Sequence, residues 1–301
     1  GYSKVKLGIH RKSGQKAALK IMLADDNGKI SDSKKKQLIR ELNVMKKVKH
    51  ENVIQLIEFD ENAEYPESDG RKTKCIVTVL EFASGGELFD FLMFTGCFDE
   101  YASRSYFHQM INGLEAMHKL GIAHRDLKPD NILLTDKEGS NLKLSDFGIS
   151  REQTSAGCGT IIGTPLYQAP EVHLRRSQFM NGYDGTLADY WSLGIILYVM
   201  LVAAPPISTK ESASKIIQMS ENKTLPWYDE PIPETAKDLI YQLLAVDPKK
   251  RITAKQIYKH PWINGYDTFQ SFQQDEKKED IDNNNDEPKE AEIDMELEYE
   301  Q

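Results

Sequence analysis

The sequence predicts an α+β, bilobal protein in which a small β-rich lobe precedes a larger, mainly helical lobe. Before about residue 82, apolar residues alternate with polar ones or form short runs, which is typical of strands. After Ser84-Gly85-Gly86 they recur every three or four residues, which indicates amphipathic helices. The 301 residues are enough to bury such a core. We therefore predict lobes at residues 1–80 and 85–263, joined by a hinge at 81–84.

The small lobe is predicted to contain four strands and one helix. Val5, Leu7 and Ile9 alternate with polar residues and predict the first strand. Residues 34–48 place apolar side chains at three- and four-residue spacing, which predicts an amphipathic helix. Further strands are expected at residues 17–22, 53–59 and 75–82. The polar residues 60–74 predict a surface loop or a long hairpin connection.

The larger lobe is predicted to contain several helices, one short hairpin and one long loop. Helices are expected at residues 88–94, 100–120, 188–202, 212–219, 234–244 and 253–259. The hairpin joins residues 132–134 to 142–144, and residues 150–170 form a loop rich in Gly, Ser and Thr. The apolar stretch 191–207 is short for a membrane span, so we interpret it as a buried core helix.

The negative charge of the chain is concentrated near its C-terminal end. The formal net charge is −9, but residues 275–301 carry thirteen Asp or Glu against three Lys. The preceding residues therefore sum to about +1, and we predict a disordered acidic tail over residues 264–301. We find no basic stripe of the kind that indicates nucleic-acid binding. We also find no leader or lipidation motif of the kind that indicates a membrane. Three scattered cysteines favour a reducing compartment, cytoplasmic or nuclear.

The most informative segment is HRDLKPDN, residues 124–131, because it combines three groups that phosphoryl transfer needs. Asp126 is a carboxylate that can orient an attacking hydroxyl and accept its proton. Asn131 offers an oxygen ligand for magnesium, and Lys128 can meet the charge on a moving phosphoryl group. Eight residues alone are weak evidence, so matching groups must stand before and after them.

Asp146-Phe147-Gly148 supplies such a group downstream. Asp146 follows a predicted strand and would be a second magnesium ligand, with Phe147 packed beneath it and Gly148 giving hinge freedom. By itself this tripeptide is more often a strand-ending turn. Placed after HRDLKPDN, with a hairpin between the two, it is strong evidence.

These segments together resemble the catalytic domain of eukaryotic protein kinases, over about residues 1–263. The resemblance implies a protein-kinase-like fold, ATP as the nucleotide, and Mg²⁺ held by Asn131 and Asp146. Lys20, in Ala-Ala-Leu-Lys, resembles the strand lysine that contacts the α- and β-phosphates, and Glu41 is placed to pair with it. In isolation, each of these two would be a solvated surface charge.

The resemblance also implies a nucleotide pocket between the lobes. Leu80 would lie behind the adenine, residues 81–83 would offer it backbone groups, and Glu87 would meet the ribose. The expected pocket residues are Val5, Ala18, Leu80, Glu81, Ala83, Glu87 and Leu133. For the apolar members, plain core packing predicts the same residue types.

The glycine-rich loop departs from the family pattern. Counting back from Val5, the third glycine position is Ser3, and the first two positions precede residue 1. Because every later motif is present and the chain does not begin with Met, we expect the protein to continue before residue 1.

Two further motifs resemble structural parts of the family. Glu171, in Ala-Pro-Glu, and Arg251 resemble the family's paired glutamate and late arginine. Because a buried carboxylate without a cation is costly, losing Arg251 should destabilise the larger lobe. Asp189 resembles the aspartate at the start of a helix that braces the catalytic loop.

Lys128 and Thr164 resemble serine/threonine kinases, and segments such as GGELFDFL and KHPWI resemble the calmodulin-dependent and AMP-activated kinase group. Thr160 occupies the position that resembles the activation-loop phosphorylation site, modified by an upstream kinase or by autophosphorylation. Its phosphate would bind Arg125, and Arg151 resembles a second phosphate contact.

Partners follow from charge. Glu87 and Asp130 favour protein substrates with upstream basic residues. Calmodulin binding is not supported within this chain, because the acidic tail lacks a basic amphipathic helix.

Two other functions remain as alternatives. A pseudokinase scaffold is compatible with the missing glycines and the acidic tail. A scaffold, however, has no chemical need for Lys20, Glu41, Asp126, Lys128, Asn131 and Asp146 together. A small-molecule phosphotransferase is disfavoured by Thr164 and residues 169–171, which resemble peptide-substrate machinery. The sequence therefore favours an ATP-dependent protein serine/threonine kinase.

Overall fold

The computed structural model describes residues 3–25, 28–68, 70–147, 150–152, 165–173, 182–208, 213–228 and 231–264. The small lobe contains one antiparallel sheet with the strand order β1-β2-β4-β3. Its strands are β1 (Ser3–Ile9), β2 (Lys16–Leu23), β3 (Leu56–Pro66) and β4 (Lys72–Glu81). A single long helix, α1 (Asp32–Lys47), packs on this sheet. The α+β, bilobal prediction is confirmed.

The two faces of the small sheet have different tasks. Leu19 and Ile21 of β2 are buried on one face, where they cluster with Val77 and Val79 of β4. Because side chains alternate along a strand, Ala18 and Lys20 lie on the opposite face. That second face receives α1, which buries Leu38 and Leu42 against Ile76. Lys20 is therefore held between the sheet and the helix.

Local signals define the ends of α1. The Ser31 hydroxyl accepts a hydrogen bond from the Lys34 N–H, and Asp32 lies in the first turn. Lys46 and Lys47 lie in the last turn, where positive charge complements the helix dipole. The helix ends at Val48, whose backbone is extended.

The polar residues 60–74 form a long hairpin, which was the second of the two sequence expectations; the surface-loop alternative is wrong. β3 continues to Pro66, which pairs with Lys72 of β4. Register shifts between Leu56 and Glu58 and between Asp60 and Ala63 bend β3 and break the alternation of its side chains. The irregular pattern explains why the sequence did not indicate a strand.

The larger lobe is built around helices. They are α2 (Leu88–Thr95), α3 (Glu100–Lys119), α4 (Pro170–His173), α5 (Gly185–Val202), α6 (Ala213–Asn222), α7 (Glu234–Leu243), α8 (Ala254–Ile257) and α9 (Pro261–Asn264). Within the described ranges, α5 is the one helix long and apolar enough to cross a membrane, and 83% of it is buried inside the protein. It contacts α3 and α7, so the predicted core helix is confirmed for residues 191–202, whereas residues 203–207 lie beyond its end.

Short strands connect the helical lobe to the cleft. They are β5 (Gly86–Glu87), β6 (Ile122–Ala123), β7 (Ile132–Leu134), β8 (Leu142–Leu144) and β9 (Arg151–Glu152). The predicted hairpin is formed by β7 and β8. β9 lies inside the segment predicted as a loop, residues 150–170, and pairs with β6. A methyl group at Gly113 of α3 would lie 2.8 Å from the Asn52 carbonyl oxygen, so only glycine permits this close packing.

Candidate active site

The catalytic loop lies between β6 and β7 and brings three predicted residues together. A 3-10 turn over Pro129–Asn131 returns Asn131 to Asp126. The Asn131 Nδ2 donates to the Asp126 carbonyl oxygen at 2.8 Å and to Asp126 Oδ2 at 3.1 Å. Lys128 Nζ lies 3.5 Å from the same Oδ2. The Asp126 carboxylate is thus held in one orientation with a cation beside it.

Asp189 of α5 braces this loop from below, as the sequence predicts. Its Oδ1 accepts the Arg125 N–H at 2.7 Å, and its Oδ2 accepts the His124 N–H at 2.8 Å. Arg125 has φ of +72°, a strained conformation for a residue with a side chain. The two bonds to a buried carboxylate offset that strain and fix the backbone just before Asp126.

Sequence reasoning missed His118 of α3, which also contacts this brace. The His118 Nε2 lies 2.8 Å from Asp189 Oδ2, and its ring packs edge-on against Tyr190. A histidine near the end of an amphipathic helix gives no signal of this contact, because the partner is 71 residues away in sequence.

Lys20, Glu41 and Asp146 meet across the cleft. Lys20 Nζ lies 2.6 Å from Glu41 Oε1 and 3.5 Å from Asp146 Oδ1. Burial lowers the pKa of Lys20, but the two carboxylates outweigh it, so its pKa is raised above the ordinary value. The ammonium is therefore charged at neutral pH and suited to bind phosphate oxygens.

Phe147 is buried and anchors Asp146 to the catalytic loop. Its ring centroid lies 5.6 Å from that of His124, whose Nε2 is 2.9 Å from the Ser145 carbonyl oxygen. Asp146 itself has φ of +60°. The expected position of Phe147 beneath the cleft agrees with this packing.

The predicted nucleotide pocket is partly assembled by the sheet register. Val5 lies opposite Lys20, and Ala18 lies opposite Leu80, so these four side chains share the cleft face. Val5 is 68% exposed, which leaves it available as an apolar roof. Leu133 is half-buried on β7. The structure describes the backbone of Ser3 but not its side chain.

The predicted hinge offers a backbone donor. The N–H groups of Ser84 and Gly85 bond to Thr135 and Leu134, whereas the Ala83 N–H bonds to no described residue. Ala83 is half-buried, so its N–H is a backbone donor that a bound nucleotide base could satisfy. The Glu81 side chain has a role that the sequence did not indicate: Oε1 lies 2.9 Å from Lys143 Nζ.

Comparison with known proteins agrees with this geometry. The profile of the protein kinase domain matches residues 1–263. The probable serine/threonine-protein kinase fhkE of Dictyostelium discoideum is 38% identical over 87% of this chain and 36% of its own length. CBL-interacting protein kinase 8 of Oryza sativa is 38% identical over 87% of this chain and 54% of its own. Calcium/calmodulin-dependent protein kinase type 1 of Macrobrachium nipponense is 34% identical over 88% of this chain and 72% of its own.

The chain belongs to the protein kinase family. It contains a kinase domain of the serine/threonine type, which uses ATP and Mg²⁺. It is similar to calmodulin-dependent and CBL-interacting kinases, which agrees with the resemblance of its sequence to the calmodulin-dependent and AMP-activated kinase group. The chain spans between 36% and 54% of the length of the first three curated relatives that it matches. The activity, substrates and partners of the whole protein are therefore proposals.

The kinase cleft has the oxygen donors that Mg²⁺ requires. Asn131 is held through its Nδ2, which leaves Oδ1 available as a ligand, and the Asp146 carboxylate is 52% exposed toward the cleft. The described residues contain no group of three or more His, Cys, Asp or Glu able to form an all-protein metal cage. One carboxylate and one amide fit Mg²⁺, which retains waters and binds substrate phosphates.

Glu171 and Arg251 of the kinase domain form the predicted structural pair. Arg251 Nη1 lies 2.6 Å from Glu171 Oε1, and Nη2 lies 3.0 Å from Oε2. The same guanidinium donates to the carbonyl oxygens of Leu187 and Ala245. Both side chains are almost fully buried. This pair fixes α4 to the core and does not enter the cleft.

Of the predicted regulatory residues, Arg125 is the one whose side chain the structure describes. It is buried, and its Nε donates to the Tyr183 hydroxyl at 3.1 Å. Thr160 and Thr164 lie outside the described residues, as does the side chain of Arg151. The phosphate contact therefore stays a prediction, as do the lobe boundaries. The tail beyond Asn264 is also outside the described residues.

A cavity of about 510 Å³ lies in the small lobe, away from the catalytic residues. It is bounded by the first turn of α1, β3 and β4. Its charged lining is balanced between three cations and three carboxylates: Lys29, Lys35, Lys74, Asp32, Glu61 and Glu64. This balance gives it no preference for an anion or a cation.

Proposed function

We propose that the protein transfers the γ-phosphoryl group of ATP to serine or threonine hydroxyls of protein substrates. The observation that carries the proposal is that both lobes deliver charged groups to one cleft. Lys20 lies between Glu41 and Asp146, and Asp126 lies within 3.5 Å of Lys128 and is bonded to Asn131. No described feature favours the scaffold alternative over this activity.

Each of these residues has one task in the transfer. Lys20 binds nucleotide phosphates, since two carboxylates keep it charged and aimed into the cleft. Asp126 orients the substrate hydroxyl and accepts its proton, and Lys128 stabilises the charge on the transferred group. Mg²⁺ bound at Asn131 and Asp146 would neutralise phosphate charge.

A phosphotransfer assay with Mg-ATP and a serine peptide carrying an upstream arginine tests this proposal. Asp126→Asn and Asp146→Asn are each expected to lower turnover at least about 100-fold. Glu138→Gln is the matched control, because Glu138 is exposed in the β7–β8 turn. Retention of full activity in both cleft variants would refute the assignment and favour a scaffold.

Activation by phosphorylation of Thr160 is part of the proposal. Arg125 supports it, because Arg125 directly precedes the catalytic Asp126 in the sequence. Its backbone N–H donates a hydrogen bond to Asp189. A phosphate on Thr160 would pair with the Arg125 cation. Thr160→Ala is expected to lower turnover, whereas Thr154→Ala leaves it unchanged. Equal turnover of both variants and the unmodified protein would reject the switch.

A preference for basic residues upstream of the phosphoacceptor is supported by charge. Glu87, Asp90 and Asp130 are all exposed near the catalytic loop. Partial desolvation of its carboxyl raises the pKa of Glu87, and the nearby Asp90 and Asp130 raise it further. A cationic substrate side chain would relieve this like-charge crowding. Glu87→Gln should raise KM for an arginine peptide but not for its alanine counterpart. We further propose a cytoplasmic or nuclear location, from the cysteine content alone.

A further inference from the structure

The outward face of α1 is strongly basic. The helix carries six cations, namely Lys34, Lys35, Lys36, Arg40, Lys46 and Lys47. Of its two carboxylates, Asp32 lies in the first turn and Glu41 is buried against Lys20. Lys36, Arg40 and Lys46 are exposed and form no ion pair with any residue that the structure describes. These three side chains therefore present positive charge that no described residue pairs with.

The acidic tail contains a segment with a matching pattern. Residues 290–300 read EAEIDMELEYE, in which acidic and apolar residues alternate without interruption. In an extended chain this alternation places every carboxylate on one side, about 6.7 Å apart. Lys36 and Arg40 are one helical turn apart, which is about 6 Å along the axis of α1. The spacing of the carboxylates thus matches the spacing of the cations.

We propose that residues 290–300 of the tail dock, acidic side inward, on the basic outward face of α1. The substrate side of the cleft is excluded as the docking site, because Glu87, Asp90 and Asp130 would repel the tail. The tail is long enough to reach α1, because the 26 residues from Asn264 to Glu290 can extend up to about 90 Å. A domain of this size has a radius of gyration of only about 18 Å.

Docking at this face acts on the catalytic ion pair. Glu41 is on the inner side of the same helix, 2.6 Å from Lys20. A tail held along the outer side restrains α1 in the position that keeps this pair closed. This regulatory consequence rests on the proposed kinase activity, whereas the docking itself does not.

The test is zero-length carbodiimide crosslinking of the full chain, with the linked residues mapped by mass spectrometry. Tail carboxylates are expected to link to Lys35, Lys36 and Lys46. The links should disappear at about 1 M salt, where the screening length is only about 3 Å. Lys36→Glu with Arg40→Glu should lower the yield of the Lys35 and Lys46 links at least about fivefold, because several exposed ion pairs are lost. Replacing Glu292 and Glu296 by Lys in that variant should restore the Lys35 and Lys46 links.

Lys249→Glu with Lys250→Glu is the matched control, because it changes charge equally on exposed residues of the larger lobe. The control should keep the α1 links. Links confined to Lys255 and Lys259, or formed only between molecules, would overturn the docking.

A parallel assay measures turnover, which should fall in the Lys36 and Arg40 variant and recover in the charge-swapped one. Turnover that does not follow the links would overturn the regulatory consequence alone. If the links form but no phosphotransfer is measured, the proposed function is refuted and the proposed docking is retained.

Discussion

Two ion pairs in this protein use the same chemistry for different ends. Lys20–Glu41 joins the small sheet to α1 at the edge of the cleft, with the Lys20 side chain 26% exposed. Glu171–Arg251 lies inside the helical lobe, and the Arg251 side chain is fully buried. The first pair has one short contact, and the second is bidentate with two further carbonyl acceptors.

The difference shows how burial assigns a role to a charge. Glu171 and Arg251 satisfy each other and can bind nothing else, so their pair serves stability. Lys20 keeps part of its ammonium toward the cleft and has Asp146 as a second neighbour, so it remains able to bind an anion. A residue pair is therefore catalytic or structural according to what its surroundings leave uncovered.

The largest expected effect separates the structural pair from the catalytic one. Arg251→Met leaves the Glu171 carboxylate buried without a cation, and the free energy of unfolding should fall by about 3–5 kcal/mol. Urea denaturation followed by tryptophan fluorescence measures it. Glu171→Met combined with Arg251→Met should recover much of the loss, because no unpaired charge remains. A single-variant cost below about 1 kcal/mol would contradict the structural role.

Lys20→Met tests the catalytic pair with the same type of substitution. Turnover should fall at least about 100-fold, because the phosphates lose their cation. The free energy of unfolding should fall by less than about 2 kcal/mol, because this pair is partly solvated. Steady-state kinetics and urea denaturation on one preparation check both parts. A stability loss equal to that of Arg251→Met, with turnover intact, would reverse the assignment.

A smaller effect is expected from Glu41→Gln. The amide retains a hydrogen-bond acceptor for Lys20 but loses the charge, which weakens the bond by about 1 kcal/mol. Turnover should fall about fivefold to tenfold, consistent with that energy. Glu115→Gln is a suitable control, because Glu115 pairs with Lys119 outside the cleft. If both variants behave alike, the position of α1 does not limit turnover.

The smallest effect concerns pH. The pKa of Lys20 is raised above 10.5 in the folded protein, so its pair stabilises fully below that value. The contribution is lost as pH rises through the raised pKa, whereas Arg251 stays charged. The stability difference between the unmodified protein and Lys20→Met should therefore be constant from pH 7 to about 10 and shrink above it. A decrease already near pH 8 would show that the carboxylates do not hold the proton on Lys20.

The sequence predicted contacts between neighbouring residues of the site but not contacts between distant parts of the chain. Asp126, Lys128 and Asn131 lie within six residues, so their mutual arrangement follows from one turn. His118, Tyr183 and Lys143 contact Asp189, Arg125 and Glu81 from distant parts of the chain. Their residue types are compatible with many surface positions, and only the packing of helices and strands selects these partners.

The sequence by itself determined the bilobal α+β fold and the catalytic loop, because apolar periodicity and closely spaced motifs depend on local geometry. The residues of the two ion pairs are 21 and 80 positions apart, and their resemblance to kinase motifs identified them. The tertiary structure alone decided which pair was covered and which stayed open to the cleft. It also decided that β3 continued through the polar residues 60–66, because burial and register depend on groups brought together from distant segments.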